Sequence, residues 1–257
     1  MKAIVSHGVK DFRLEERSVP EMDDTEVLIK IHYCGVCGTD IHMYHGTWEL
    51  FPDHTPGHEA SGIIQEVGAK VDKFAPGDRV AIDPGIVCRS CEYCRSSRMH
   101  LCDNRFGMYH HKGGGFAEYT CVPEEQVYKL PDHMPLEWGA FLEPAGCCVH
   151  SIDRAGIKPG ETVAVLGGGA IGLMIAQLAL ISGAARVILS EPQLKRREIA
   201  ETLGVTHTID PLAGDAVAAI KDHSGGGVDV VIESAGLPIT VGQCFEVVKK
   251  GGRIVLF

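Results

Sequence analysis

Between residues 37 and 42 a thiol (Cys37), a hydroxyl (Thr39) and an imidazole (His42) fall within six positions, and glycines beside them allow tight backbone turns. Sixteen residues past His42 comes Gly57-His58-Glu59, and far downstream Phe141-Leu142-Glu143-Pro144 offers another carboxylate. Cys37, His58 and a glutamate are the donor types of a zinc site with three protein ligands and one position left open, as catalysis by the metal requires. Singly, each has a plainer reading: Cys37 as a small hydrophobe, His58 as a satisfied polar group, Thr39 as a turn residue and His42 as a surface imidazole. Together they describe a metal that acidifies an oxygen ligand in its open position, with Thr39 placed to accept the proton and His42 to carry it toward solvent.

A second cysteine set is more specific. Cys88-x-x-Cys91-x-x-Cys94, then seven residues and Cys102, supplies four thiolates. Four thiolates fill a tetrahedral zinc shell and leave no room for substrate, so this ion is structural. An iron–sulfur cluster is the competing reading, disfavoured because no proline follows Cys102 and no second quartet of cysteines exists.

The third chemical stretch is Gly167-x-Gly169-x-x-Gly172. It closes the strand-like run Thr162 to Leu166 and opens a helix with Ile171, Met174, Ile175, Leu178 and Ile181 at helical spacing. In that context Gly167, Gly169, Ile171 and Gly172 are expected against the pyrophosphate of a dinucleotide, held by the helix N-terminus. Glu191, nineteen residues past Gly172, is placed to hold both ribose hydroxyls and to repel a 2′-phosphate, which favours NAD over NADP. Arg196 is either a neighbour of adenine or ribose or one of three solvated charges with Lys195 and Arg197.

Two kinds of scaffold must position these sets. From Met1 to about Tyr128, short β-rich runs broken by Gly and Pro predict an irregular antiparallel barrel or sandwich. Gly113-Gly114-Gly115 lies there without a strand-to-helix switch and is read as a turn. After Gly160 strands alternate with helices: strands at Thr206 to Ile209, Val228 to Glu233 and Arg253 to Phe257, helices at Asp215 to His223 and Ile239 to Lys249. That alternation predicts a doubly wound parallel sheet.

The ordered set Cys34-Gly35-Val36-Cys37-Gly38-Thr39-Asp40-x-His42, then Gly57-His58-Glu59, then Glu143-Pro144 closely resembles the zinc-containing medium-chain alcohol and polyol (sorbitol-type) dehydrogenases. The resemblance implies a GroES-like catalytic barrel over 1–150, with the structural-zinc lobe at about 86–104, and a Rossmann domain over 151–257. It implies one catalytic and one structural zinc, NAD, and oxidation of a secondary alcohol of a polyol or vicinal diol to a ketone. The polyol leaning comes from Glu143, where simple alcohol dehydrogenases carry a cysteine, which makes Cys147 or Cys148 its rival as the late ligand. Glu59 and Glu143 share the zinc in this reading, one directly and one through water, with the order open. Cys34, Cys121, Cys147, Cys148 and Cys244 are expected to bind no metal. A relative of threonine or simple alcohol dehydrogenases, a quinone-reductase relative lacking zinc, and a non-catalytic binder of zinc and nucleotide are the competing functions.

Composition sets the surroundings. At 257 residues with 45% hydrophobic and 23% charged residues, the chain is long enough for two ordinary domains with real cores. A net charge of -10 argues against nucleic-acid or anionic-membrane surfaces and for a small-molecule alcohol as partner. No signal peptide or bilayer-length apolar run is found, and ten cysteines with metal-ligand spacing fit a cytoplasmic protein better than a disulfide scaffold. A dinucleotide fold of this kind has six strands, and the sequence ends within the fifth, which predicts a bare apolar edge. The chain is therefore expected to be incomplete. A homo-oligomer is expected for a complete chain and is doubtful for this one.

Overall fold

Two short strands, β1 (Lys2–Gly8) and β2 (Asp11–Glu16), pair antiparallel and lead into β3 (Glu26–Gly35), the longest strand of its sheet. A computed structural model describes residues 1–48 and 52–257, and the chain divides into two units, Met1–Glu143 and Pro144–Phe257. In the first unit β3 is followed by helix α1 (Gly38–His45) and by strands β4 (Glu59–Val67), β5 (Arg79–Ile82) and β6 (Gly85–Ile86). A short excursion carrying helix α2 (Glu92–Arg95) returns through β7 (Phe106–Gly107), and β8 (Tyr119–Pro123), β9 (Val127–Lys129) and helix α3 (Leu136–Gly139) complete the unit's regular elements.

The five-stranded antiparallel sheet runs β8-β3-β4-β5-β9. Val27, Ile29, Ala60, Ile64, Val80, Ile82 and Val122 point from these strands into one core, closed by Met108. Each is an apolar residue on a pleated face that burial favours. The triple glycine serves as a turn: the N–H groups of Gly114 and Gly115 donate to the carbonyls of Thr55 and Gly57, just before β8.

Helix α4 (Leu142–Ala155) carries the boundary between the units. The second unit continues with β10 (Thr162–Leu166), α5 (Ala170–Ile181), β11 (Arg186–Ser190), α6 (Leu194–Thr202), β12 (His207–Ile209), α7 (Ala216–Ser224), β13 (Val228–Glu233), α8 (Pro238–Val247) and β14 (Val248–Leu256). All five strands are parallel, in the order β12-β11-β10-β13-β14. Strand periodicity explains the two covered faces: Val163 and Val165 join the core packed on α5, while Ala164 and Leu166 join the core packed on α7 and α8. Asp215 caps α7, its carboxylate accepting the Ala218 N–H at 3.0 Å. The last strand starts five residues before the sequence pattern places it, because Val248 already pairs with Val228. It lies at the sheet edge, with Leu256 exposed. Among the described residues no helix is long and apolar enough to cross a membrane.

Candidate functional site

Register brings the first donor set together. Strands β3 and β4 pair so that Gly35 faces Glu59, which puts Cys37, two residues beyond one strand end, beside His58 and Glu59 at the start of the other. The Cys37 sulfur, a His58 ring nitrogen and a Glu59 carboxylate oxygen all lie within 4.8 Å of one another. A Cβ at residue 35 would stand 2.0 Å from the Glu59 Oε2, so only glycine leaves the carboxylate its place.

Cys37 is also the N-cap of α1, a helix the glycine-rich sequence there conceals. Its sulfur accepts the Asp40 N–H, and the Asp40 carboxylate accepts the Cys37 N–H at 2.9 Å, a reciprocal cap that fixes the sulfur. Asp40, buried to 3% exposure, accepts a second bond from the Gly57 N–H at 3.3 Å and stands 3.7 Å from the Nδ1 of His58. His58 Nδ1 is itself buried with no hydrogen bond. Desolvation pushes its imidazole toward the neutral form, but the Cys37 hydrogen bond and the Asp40 and Glu143 charges outweigh it and raise the value to about 9. Glu59 is pushed up by burial and by the neighbouring Glu143 charge. A cluster that clings to protons in this way is one whose charge a cation would balance, and thiolate, imidazole and carboxylate fit zinc.

Thr39, His58 and Glu143 line a cavity of about 590 Å³ with Trp48, Tyr109 and His110. The Thr39 hydroxyl lies 3.7 Å from the Cys37 sulfur. His42 sits on the exposed side of α1, its Nδ1 3.1 Å from the Thr47 hydroxyl. Glu143 thus faces the same cleft as the metal set, whose mutual contacts are made by Glu59. Cys34, close by, is pushed up to about 12 by burial and by the Asp40 and Glu59 charges, so it stays a thiol.

Cys88, Cys91, Cys94 and Cys102 converge within the excursion between β6 and β7, their sulfurs within 4.8 Å of one another. Cys88 and Cys102 sulfurs are 3.5 Å apart, near the ~3.8 Å tetrahedral edge that Zn–S bonds of ~2.3 Å require. The Cys88 sulfur accepts the Cys91 N–H, and the Cys102 sulfur those of Cys88 and Asn104, each at 3.4 Å. Hydrogen bonds from Ser90 and Cys91 bring Cys88 down to about 5, whereas desolvation and the adjacent sulfurs push Cys94 up to about 12. Four crowded sulfurs cannot all ionise without a cation among them, and a structural zinc suits the donor set.

In the second unit, Gly167 turns the chain after β10 with φ +106°. A Cβ on Gly172 would meet the Gly167 carbonyl at 1.9 Å, so the first turn of α5 approaches the strand end only because side chains are absent. Gly169 is the N-cap of α5, and Ile171 follows in its first turn. Glu191, 3% exposed just past β11, accepts the Gly168 N–H at 2.7 Å and the Gln193 N–H at 2.9 Å. The Arg196 guanidinium stands 3.6 Å from the same carboxylate. This turn, with a helix N-terminus at its end and a carboxylate beyond, could hold a dinucleotide.

The sequence pattern holds Gly35 and Asp40 within the motif around Cys37 without a role of their own, and leaves out Ser234. Asp40 had a signal: Cys37-x-x-Asp40 has capping-box spacing. Ser234, whose hydroxyl donates to the Leu166 and Gly167 carbonyls at 3.1 Å, reaches the turn across the sheet and has no local signature.

Residues 23–132 match the family described as alcohol dehydrogenase GroES-like domain, and 170–257 the family described as zinc-binding dehydrogenase. Sorbitol dehydrogenase of Bacillus subtilis is 36% identical over 262 residues, covering 100% of this chain and 74% of the relative. A solved structure described as a zinc-binding dehydrogenase of Sinorhizobium meliloti bound to NADP is similar at 44% identity and a TM-score of 0.95, over 99% of this chain and 75% of that one. The structure of 2R,3R-butanediol dehydrogenase of Bacillus subtilis is similar at 34% identity and a TM-score of 0.89, over 100% and 76%.

Proposed function

This chain belongs to the zinc-binding alcohol dehydrogenase family, and from that premise we propose that it oxidises a secondary alcohol of a polyol or vicinal diol to a ketone, with NAD as hydride acceptor. The observation that carries the reading is the meeting of Cys37, His58 and Glu59 beside a cleft that Thr39 and Glu143 also line. When bound, zinc supplies a Lewis acid at the open position and the nicotinamide takes the hydride.

The chain's own residues do the rest. Cys37, His58 and Glu59 hold the open site, and Cys88, Cys91, Cys94 and Cys102 the closed one. Asp40 fixes the Cys37 backbone and faces His58, which orients the imidazole. Thr39 accepts the proton of the substrate hydroxyl as it releases its own, which passes by way of water to His42, exposed on α1, and from there to solvent. Glu143 adds a carboxylate to the cleft wall, where it can hydrogen-bond a vicinal hydroxyl. Gly167, Gly169, Ile171 and Gly172 seat the pyrophosphate, Glu191 receives the adenosine ribose, and Arg196 flanks it. The two dimensions of the relatives named above, a hexitol and a butanediol, support a vicinal diol as the shared substrate element.

The reading places the protein in the cytoplasm, where its thiols stay reduced, as a homo-oligomer in its complete form. It takes the GroES-like catalytic domain as 1–150 and the Rossmann domain as 151–257.

The deciding experiment is reduction of NAD and NADP by the zinc-loaded protein over a panel of diols, polyols and primary alcohols. Polyols or vicinal diols with NAD are the expected pair. Oxidation of primary alcohols alone would remove the polyol assignment, and tighter binding of NADP than NAD would remove the role given to Glu191. Thr39→Val should abolish turnover while zinc and NAD remain bound.

A further inference from the structure

Arg13 pairs with Asp11, Arg17 with Asp53, Arg197 with Asp210 and Arg253 with Glu161, while Arg79 and Arg186 donate to backbone carbonyls. The Arg105 side chain has neither kind of partner among the described residues. It lines the cleft that holds Thr39, His58 and Glu143, and no carboxylate of the described residues pairs with its guanidinium. A guanidinium with no acidic partner among the described residues, lining a substrate cleft, is a site for an anion.

Arg105 is exposed, with its backbone fixed on one side and its head against a glycine on the other. Its own N–H donates to the Cys102 carbonyl at 3.2 Å, and the N–H of Asn104 donates to the Cys102 sulfur at 3.4 Å, so the backbone leading to it is fixed to the four-cysteine lobe. Its head lies against Gly85, where a Cβ would stand 2.7 Å from Nη2 and 2.8 Å from Nε. Gly85 pairs with Gly107, and Ile86 with Phe106, so the seat and the arginine belong to one two-stranded ladder. Preorganisation of this sort lowers the ordering cost of binding. Trp48 and Tyr109 in the same cavity offer apolar faces to a carbon chain, and the volume of about 590 Å³ lies within the range of small-molecule sites.

Resting on the dehydrogenase reading above, we propose that Arg105 is a specificity-determining residue that holds a terminal oxyanion of the substrate, so that the preferred substrate is a polyol carrying a phosphate or a carboxylate at the end remote from the oxidised carbon. A planar guanidinium meets either group with paired N–H donors, which an ammonium cannot reproduce.

The test compares a hexitol, its 1-phosphate and the corresponding hexonate as substrates of the zinc-loaded protein. The wild type should use at least one charged compound with about tenfold or more higher kcat/KM than the hexitol, and the phosphate and carboxylate arms tell which oxyanion it is. In Arg105→Met that compound should lose about 10- to 100-fold, mainly in KM, and at least tenfold more than the hexitol loses. Arg105→Lys should recover part of the loss, and Gly85→Ala, which displaces the guanidinium, should repeat it. Equal use of neutral and charged compounds by the wild type, or equal losses in Arg105→Met, would overturn the proposal. Should no alcohol be oxidised, the dehydrogenase reading fails by itself. Calorimetric titration of the hexitol 1-phosphate and the hexonate into wild type and Arg105→Met then decides the role of Arg105: tighter binding of either by the wild type supports it, and equal binding refutes it.

Discussion

The two sulfur-bearing sites of the first unit suit the same ion and are built in opposite ways. Cys88 to Cys102 come from one short excursion whose helix α2 buries no side chain and in which only Cys102 is buried among the four cysteines. Such a segment has almost no core, so an ion held by the four thiolates would supply its folding energy. Cys37, His58 and Glu59 are instead carried by strands whose side chains form the core around Ile29 and Ile64. There the fold brings the donors together without help, and an ion would be received by it. A closed site is therefore a substitute for packing, while an open site is a product of it.

Four measurements would break or sharpen that contrast, from the largest effect down. Cys37→Ala should lower turnover by at least about 10³-fold, because the Lewis acid is lost, and halve the zinc content while the thermal transition of the barrel persists. Two zinc ions retained per chain would remove Cys37 from the ligand set. Cys91→Ser should cost the lobe about 3 kcal/mol and expose residues 87–105 to limited proteolysis, yet leave the open site loaded. If both metals leave together, the sites are not independent.

The third measurement is a control outside both sites. Buried Glu26 receives hydrogen bonds from Lys112, the Asp23 N–H, His111 and the Cys121 thiol. Desolvation alone would raise the Glu26 carboxyl, but these partners outweigh it and hold it at about 2 against an ordinary 4.5. A carboxyl lower in the folded than in the unfolded chain stabilises the fold fully above about 4.5, and this contribution fades as pH falls to about 2. Glu26→Gln should therefore destabilise the unit by about 2 to 3 kcal/mol at neutral pH with both zinc ions bound, and denaturant melts should show the gap to wild type closing across that acid window. A gap that stays constant down to the acid limit would refute the assignment. Smallest is Asp40→Asn, expected to weaken zinc at the open site by about 10- to 100-fold in chelator competition while the four-cysteine site keeps its affinity. Equal weakening at both would mean that Asp40 acts through the fold.

The same contrast explains how much could be read from sequence. The four-cysteine site is legible because ligand spacing and spatial proximity coincide when a site is local. The parallel sheet was legible for a related reason: Val163 to Leu166 alternate between two covered faces, and a continuous apolar run followed by the glycine turn reports that burial directly. Cys37 and His58 stood out by residue type. That the Glu59 carboxylate lies within 4.8 Å of the Cys37 and His58 donor atoms did not, because it depends on the pairing of Gly35 with Glu59, which no local pattern encodes. Arg105 and Tyr109 reach the cleft only through the ladder of β6 and β7, two residues each, too short to leave a period. Helix α1 was hidden because its cap is a cysteine, a residue outside the usual capping set.

That ladder has an evolutionary reading. Ile86 stands opposite Phe106, so the chain leaves the barrel and re-enters it at neighbouring points, and everything between is a local insertion. A lineage can gain, lose or exchange such a cassette in a single genetic event without redrawing the barrel. Arg105 sits at its exit, so exchanging the cassette would also change the charge presented to the substrate.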